Sequence, residues 1–166
     1  MLVIGIDPGT ALTGFGLVRR KRDASLELVE YGVIRTSARQ PMARRLVKIH
    51  TELVSLLERF QPTEAAVERL FFQKNVTTAI SVGQARGVVM LALASVGLTI
   101  EEYTPQDIKL AVTGYGAADK GQMQRMVKTL LTMDEIPKPD DAADALAVAI
   151  CHAHNAALCA RLEGAQ

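Results

Sequence analysis

A chain of 166 residues, 49% hydrophobic and 22% charged, has the balance of a globular protein with one core; it is too rich in apolar residues to be disordered. A second core is not expected at this length. Lys and Arg number 19 against 18 Asp and Glu, and this formal charge of +1, taken whole, gives no argument for a nucleic-acid partner.

Leu2 to Ile6 is a short apolar run closed by Asp7-Pro8-Gly9, the punctuation that ends a buried strand. Gly14 to Arg20 and Leu26 to Thr36 read as two further strands joined by the charged turn Arg19 to Asp23, so an antiparallel meander is expected. From Met42 to Phe60 the apolar residues Leu46, Ile49, Leu53, Leu57 and Phe60 recur at helical spacing. Ala65 to Glu68 reads as a fourth strand, and Val76 to Val96 as a helix apolar on most of its surface and therefore expected to be buried. Gly83 and Gly87 would let another backbone approach that helix, a hypothetical dimer face. Thr99 to Tyr103 is a fifth strand, followed by helices from Pro105 to Val112, Lys120 to Thr132 and Asp140 to about Glu163. The order βββαβαβα with further helices predicts an α/β domain spanning residues 1–166: a mixed five-stranded sheet flanked by helices, its last dozen residues a tail.

Cys151 and Cys159 imply no disulfide framework. The start lacks a signal-peptide pattern, and the longest nearly apolar run, Gly87 to Leu98, falls short of the about 20 residues of a membrane span. A cytoplasmic protein with no membrane partner is expected.

Four acids stand out. Asp7 and Glu68 end buried strands, while Asp141 and Asp144, three apart on an apolar helix, share one face. Each has a plainer reading alone: Asp7 as a turn former, Glu68 as a partner of Arg69, and Asp140 or Asp141 as an N-cap. Asp144 lies inside the helix, where no cap is needed. Together the four suggest a site held by cations, because like charges converge only when something neutralises them. All-oxygen donors suit Mg²⁺ or Mn²⁺. Two such ions about 3.5–4 Å apart serve in-line phosphodiester displacement, with no covalent nucleophile needed.

Gly5-Ile6-Asp7-Pro8-Gly9, Val67-Glu68 with Phe71-Phe72-Gln73-Lys74-Asn75, Gly83-Gln84-Ala85-Arg86-Gly87 and Asp141-Ala142-Ala143-Asp144-Ala145-Leu146-Ala147 follow one another in this order. In this the sequence resembles the RuvC family of Holliday-junction resolvases, from Leu2 to about His154. The resemblance implies an RNase H-like fold with helices on both faces of the sheet. It also implies a homodimer and Mg²⁺-dependent cutting of two strands of like polarity in a four-way DNA junction. Its acidic tetrad falls on Asp7, Glu68, Asp141 and Asp144, holding two Mg²⁺ for which Mn²⁺ would substitute; Asp140 is left as the N-cap. Some members of the family carry a histidine at the position of Asp141. A branch-migration helicase complex of the same pathway is an expected partner.

The family's junction-contacting aromatic falls on Phe71. With Phe72, Arg69 and Lys74 it makes an aromatic loop among cations, suited to stacking on unpaired bases. Lys109 and Lys120 match lysines the family uses near the scissile phosphate, where ammonium groups offset its repulsion by carboxylates. Arg19 to Arg22 read as a solvated turn, and Arg44, Arg45 and Lys48 receive no role. Cys151, His152 and His154 lack the paired spacing of a zinc site and read as a helix surface.

Three other readings compete. An RNA-processing nuclease of the YqgF type also opens with Gly-Ile-Asp; the Asp141–Asp144 pair and the Phe-Phe loop favour the resolvase. An actin-like ATPase lobe shares the Gly-Ile-Asp-Pro-Gly-Thr loop but needs a second lobe. A non-catalytic junction-binding scaffold would not need the complete tetrad. With those four acids assigned to metal, 14 of the 18 acids remain against 19 bases, so the surface offered to DNA is basic.

Overall fold

A computed structural model describes residues 1–69 and 76–163, with the backbone alone for 76–78 and 157–163. The chain runs β1 (Leu2–Asp7), β2 (Leu12–Arg20), β3 (Leu26–Arg35), α1 (Met42–Phe60), β4 (Glu64–Glu68), α2 (Val76–Ser95), β5 (Ile100–Tyr103), α3 (Pro105–Thr113), α4 (Lys120–Leu130) and α5 (Asp140–Glu163). One five-stranded sheet has the order β3-β2-β1-β4-β5. The first three strands form the expected antiparallel meander, and β1, β4 and β5 run parallel. Each parallel step needs a long crossover, which α1 and α2 supply. The expected mixed sheet with helices on both faces is what forms.

Strand alternation divides the core in two. Ile4, Ile6, Leu17, Ile34 and Val67 face α1 and α2, meeting Ile49, Leu53, Leu57, Val89 and Leu93. Val3, Val18 and Ala66 face the other way, against Leu146 and Ile150 of α5, with Ile108 of α3 and Val127 of α4 behind them.

α5 lies unusually close to the sheet. A Cβ on Gly5 would stand 2.3 Å from the Ala145 carbonyl oxygen, and one on Gly14 only 1.9 Å from that of Asp141. On Gly16 it would meet Leu146. The helix answers with Ala142, Ala145 and Ala149, all buried. Small residues on both surfaces thus fix where α5 begins.

Local chemistry sets the shorter helices. Thr104 and Asp107 close a capping box at α3, and Asp119 and Gln122 another at α4. Gly114, at φ +73°, stops α3 in the left-handed conformation that glycine adopts without strain.

Three expectations are corrected. α2 is buried on one side only: Ala85, Val89, Ala92 and Leu93 are covered, while Ile80 and Leu91 are 59% and 61% exposed. Its even spread of apolar residues serves two directions, of which the sheet takes one. Cys151 and His152 do not lie on a helix surface; both are buried. His152 bridges Glu64 Oε2 at 2.6 Å and the Tyr103 hydroxyl at 2.9 Å, and His154 Nδ1 meets the Ala111 carbonyl at 3.1 Å. Asp140 is the first helical residue and not the N-cap; the carbonyl of Pro139 before it accepts the opening bonds from Ala142 and Ala143. Among the described residues no helix is long and apolar enough to cross a membrane.

Candidate active site

β1 and β4 run in register, Ile6 beside Val67, so the residues that follow, Asp7 and Glu68, reach the same end of the sheet. Alternation turns both toward α5, two positions beyond Gly5 and Ala66. Asp7 pairs across the antiparallel ladder with Gly14, and the Asp141 carbonyl sits over Gly14. The close helix–sheet contact therefore delivers the first turn of α5 to the strand ends.

The four carboxylates act on one another electrostatically. Burial, then the charges of Glu68, Asp144 and Asp141, push Asp7 up to about 8, and it shares a hydrogen bond with Glu68. Glu68 is raised by burial and by Asp144. Asp144 is raised by burial, against the opposing pull of Lys120. Such a cluster retains protons until a cation takes their place. Its donors are all carboxylate oxygens, the chemistry a hard divalent ion requires, so the residues present fit such an ion. The set is gathered but open: among the described residues no three metal-ligating groups already stand at the spacing of a cage.

Two cations approach from the side. Glu68, Asp144, Lys109 and Lys120 border one cleft of about 210 Å³, with Ile108, Met123 and Ala147 also lining it. Lys120 Nζ stands 2.9 Å from Asp140 Oδ2 and 3.5 Å from Asp144 Oδ2. Its ammonium is held above the usual lysine range, first by the bond to Asp140. Asp140 is held below the usual carboxylate range by the same lysine and also accepts from Gln124 Nε2 at 3.0 Å. The alanines around Asp144 thus conceal a cation supplied by α4; the i, i+4 spacing of Lys120 and Gln124 is the one sequence trace of this arrangement.

Arg69 follows Glu68 directly, half exposed, with Nε 3.9 Å from Glu102 Oε2, while Arg86 pairs with the other oxygen of Glu102. Glu68 therefore does not take Arg69 as its partner. Phe71, Phe72 and Lys74 lie outside the described residues. Of the basic hairpin turn, Arg19 and Lys21 both pair with Glu27, at 3.5 and 3.7 Å.

A mixed sheet of this strand order, with acids at two adjacent parallel strand ends and on a helix laid across them, has the architecture of the RNase H-like class. Residues 3–152 match the model of the family described as crossover junction endodeoxyribonuclease RuvC. A RuvC endonuclease of Desulfitobacterium hafniense is 56% identical over 165 residues, with 99% of each chain covered. One of Heliobacterium modesticaldum is 54% identical, covering 93% of this chain and 95% of its own. The structure of a T. thermophilus RuvC in complex with a Holliday-junction substrate superposes with a TM-score of 0.91 at 37% identity, covering 95% and 96% of the two chains. The chain belongs to the RuvC family of crossover junction endodeoxyribonucleases.

Proposed function

We propose that the protein resolves four-way DNA junctions by metal-dependent hydrolysis of two phosphodiester bonds. The observation that carries this reading is the convergence of Asp7, Glu68 and Asp144, with Asp141 beside them, at the end of a cleft that also holds Lys109 and Lys120. Junction DNA is the substrate because the relatives act at crossovers and one is held on a Holliday junction.

Asp7, Glu68, Asp141 and Asp144 would hold two Mg²⁺, with Mn²⁺ as a substitute; when bound, the ions would lower the pKa of an attacking water and neutralise the leaving oxygen. The chain's own residues do the rest. Asp7 and Glu68 are fixed by the central strands, so their oxygens need little reorganisation. Lys109 and Lys120 neutralise the phosphate that the carboxylates would otherwise repel. Lys120 is held ready by Asp140, which keeps the ammonium beside Asp144. Arg69 and Lys74 would meet the backbone, and Phe71, with Phe72, would stack at the open centre of the junction.

A homodimer supplies the second cut. Ile80 and Leu91 expose apolar surface on α2, on a helix that also carries Gly83 and Gly87. The bacterial origin of the relatives supports work in the cytoplasm, beside a branch-migration helicase that would set the junction position to be cut.

Asp7→Asn should lower nicking of a synthetic four-way junction by at least ~10³-fold while leaving binding within about threefold, since it removes a metal ligand and no phosphate contact. Undiminished nicking by this variant in Mg²⁺ would overturn the assignment, as would a preference of the wild type for structured RNA.

A further inference from the structure

The chain between Tyr31 and Thr51 carries Arg35, Arg39, Arg44, Arg45 and Lys48 and no acid. In a protein whose cations and anions nearly balance, that segregation has a place in the fold. The segment leaves the end of β3, turns, and enters α1. The turn is tied back on itself: Gln40 donates to the Ser37 carbonyl at 3.1 Å, and Arg45 Nε donates to Thr36 Oγ1 at 2.8 Å. Arg35 and Arg44, the neighbours of that last pair, are therefore both anchored at this one turn.

The turn is also tied to the catalytic end of the sheet. The Thr36 amide donates to the Ala11 carbonyl at 3.0 Å, and its hydroxyl donates to the Thr10 carbonyl. Thr10 and Ala11 belong to the short connection that follows Asp7. Ile34 faces the α1 side, so Arg35, next along the strand, faces the side where α5 begins. Arg44 lies on α1, on the opposite side. The cations thus wrap the sheet end that carries the carboxylates.

Two of the five are engaged, Lys48 with Glu52 at 3.4 Å and Arg45 with Thr36. Arg35, Arg39 and Arg44 are exposed, and among the described residues no carboxylate pairs with them. The residues from Gly32 to Thr51 include no aromatic ring except His50, so nothing there offers a stacking platform for unpaired bases. Guanidinium forks without aromatic neighbours suit the sugar–phosphate backbone, where they position a duplex without reading its sequence.

We infer that Arg35, Arg39 and Arg44 form a second DNA-binding site, one that grips the phosphate backbone of a duplex arm as it leaves the catalytic cleft. The site rests on the junction-resolving function proposed above and adds to it the part of the substrate that the carboxylate cleft does not reach. It would fix the direction of the arm, and through the arm the position of the scissile phosphate.

The test compares wild type with the combined variant Arg35→Ala, Arg39→Ala, Arg44→Ala, binding fluorescent four-way junctions in EDTA across a salt series, with long and with short arms. On long arms the slope of log affinity against log salt should fall by roughly 0.9 for each phosphate that no longer meets a guanidinium, so by up to about 2.7. On arms too short to reach the turn, the wild type should show the same reduction and the two proteins should bind alike. Equal slopes on long arms, with melting temperatures equal, would overturn the inference and leave the function standing. A reduced slope that persists on short arms would overturn it too, by moving the arginines to the crossover. A wild type that does not prefer junctions to linear duplex would overturn the functional reading instead.

Discussion

At the scale of single residues, the molecule has stability invested against itself. Asp7 has a carboxyl pushed up to about 8 from an ordinary value of 3.8, first by burial and then by its acidic neighbours. Without metal, the native state thus binds a proton across that window which the unfolded chain has already released. This contribution to stability is complete below the unfolded value and is lost as pH rises through the folded one. Glu68 and Asp144, also raised, push in the same direction. In EDTA the protein should therefore melt lower at pH 8 than at pH 5.5 as far as this cluster is concerned. Asp7→Asn should raise the melting temperature at pH 8 and flatten the dependence, by about 2–4 °C for each kcal/mol of repulsion relieved. Mg²⁺ should stabilise the wild type at pH 8 more than the variant. A variant melting below wild type at pH 8 in EDTA would mean that Asp7 is held by favourable contacts and not by compression among like charges.

At the scale of elements, the decisive contact is α5 on β1 and β2. A Cβ at Gly14 would overlap the Asp141 carbonyl oxygen at 1.9 Å, and the backbone has nowhere to yield except by lifting the first turn of α5. Gly14→Ala should cost about 1–3 kcal/mol of stability through overpacking. It should weaken nicking further than the smaller folded fraction explains, because Asp141 and Asp144 move with the turn; excess Mg²⁺ should restore part of the rate. Full activity with an unchanged melting curve would show that α5 shifts freely on the sheet. The same packing marks where sequence reading stops. The strands and helices were legible from apolar spacing to within about two residues, and the places of Asp7 and Glu68 at strand ends from the runs that precede them. Which residues face each other across layers was not. Gly5, Gly14 and Gly16 make room for a helix that starts more than 120 residues further along the chain, so nothing local to the strands names what they clear. The histidine His152 read as surface because Glu64 and Tyr103, which satisfy it, lie far away in sequence. Asp140 read as a cap because Lys120, its partner, comes from another helix.

At the scale of the whole molecule, the proposed two-strand cut needs two sites, and the described residues of one chain bring together one such carboxylate cluster. α2 is the helix proposed to join them. A glycine inside a helix costs about 1 kcal/mol relative to alanine. Gly83 and Gly87 carry this cost with no return inside the chain, since a Cβ at either would meet nothing within 4 Å among the described residues. Beside them Leu91 is 61% and Ile80 59% exposed, exposures that among the described aliphatic residues only Val47 and Leu110 approach. Both features make sense against a second copy: close backbone approach at the glycines, and burial of the apolar side chains for about 1.5–3 kcal/mol each. Leu91→Glu should convert a sedimenting dimer to monomer at micromolar concentration, because it leaves an unpaired charge in the contact. The monomer should keep its fold and nick junctions singly, so a plasmid-borne junction should yield nicked circles in place of paired, ligatable products. Gly83→Ala separates this from mere destabilisation: in the monomer it should raise helix stability, while in the dimer it should weaken association. A wild type that sediments as a monomer, or a Leu91→Glu protein that still makes coincident cuts, would move the dimer contact off this helix.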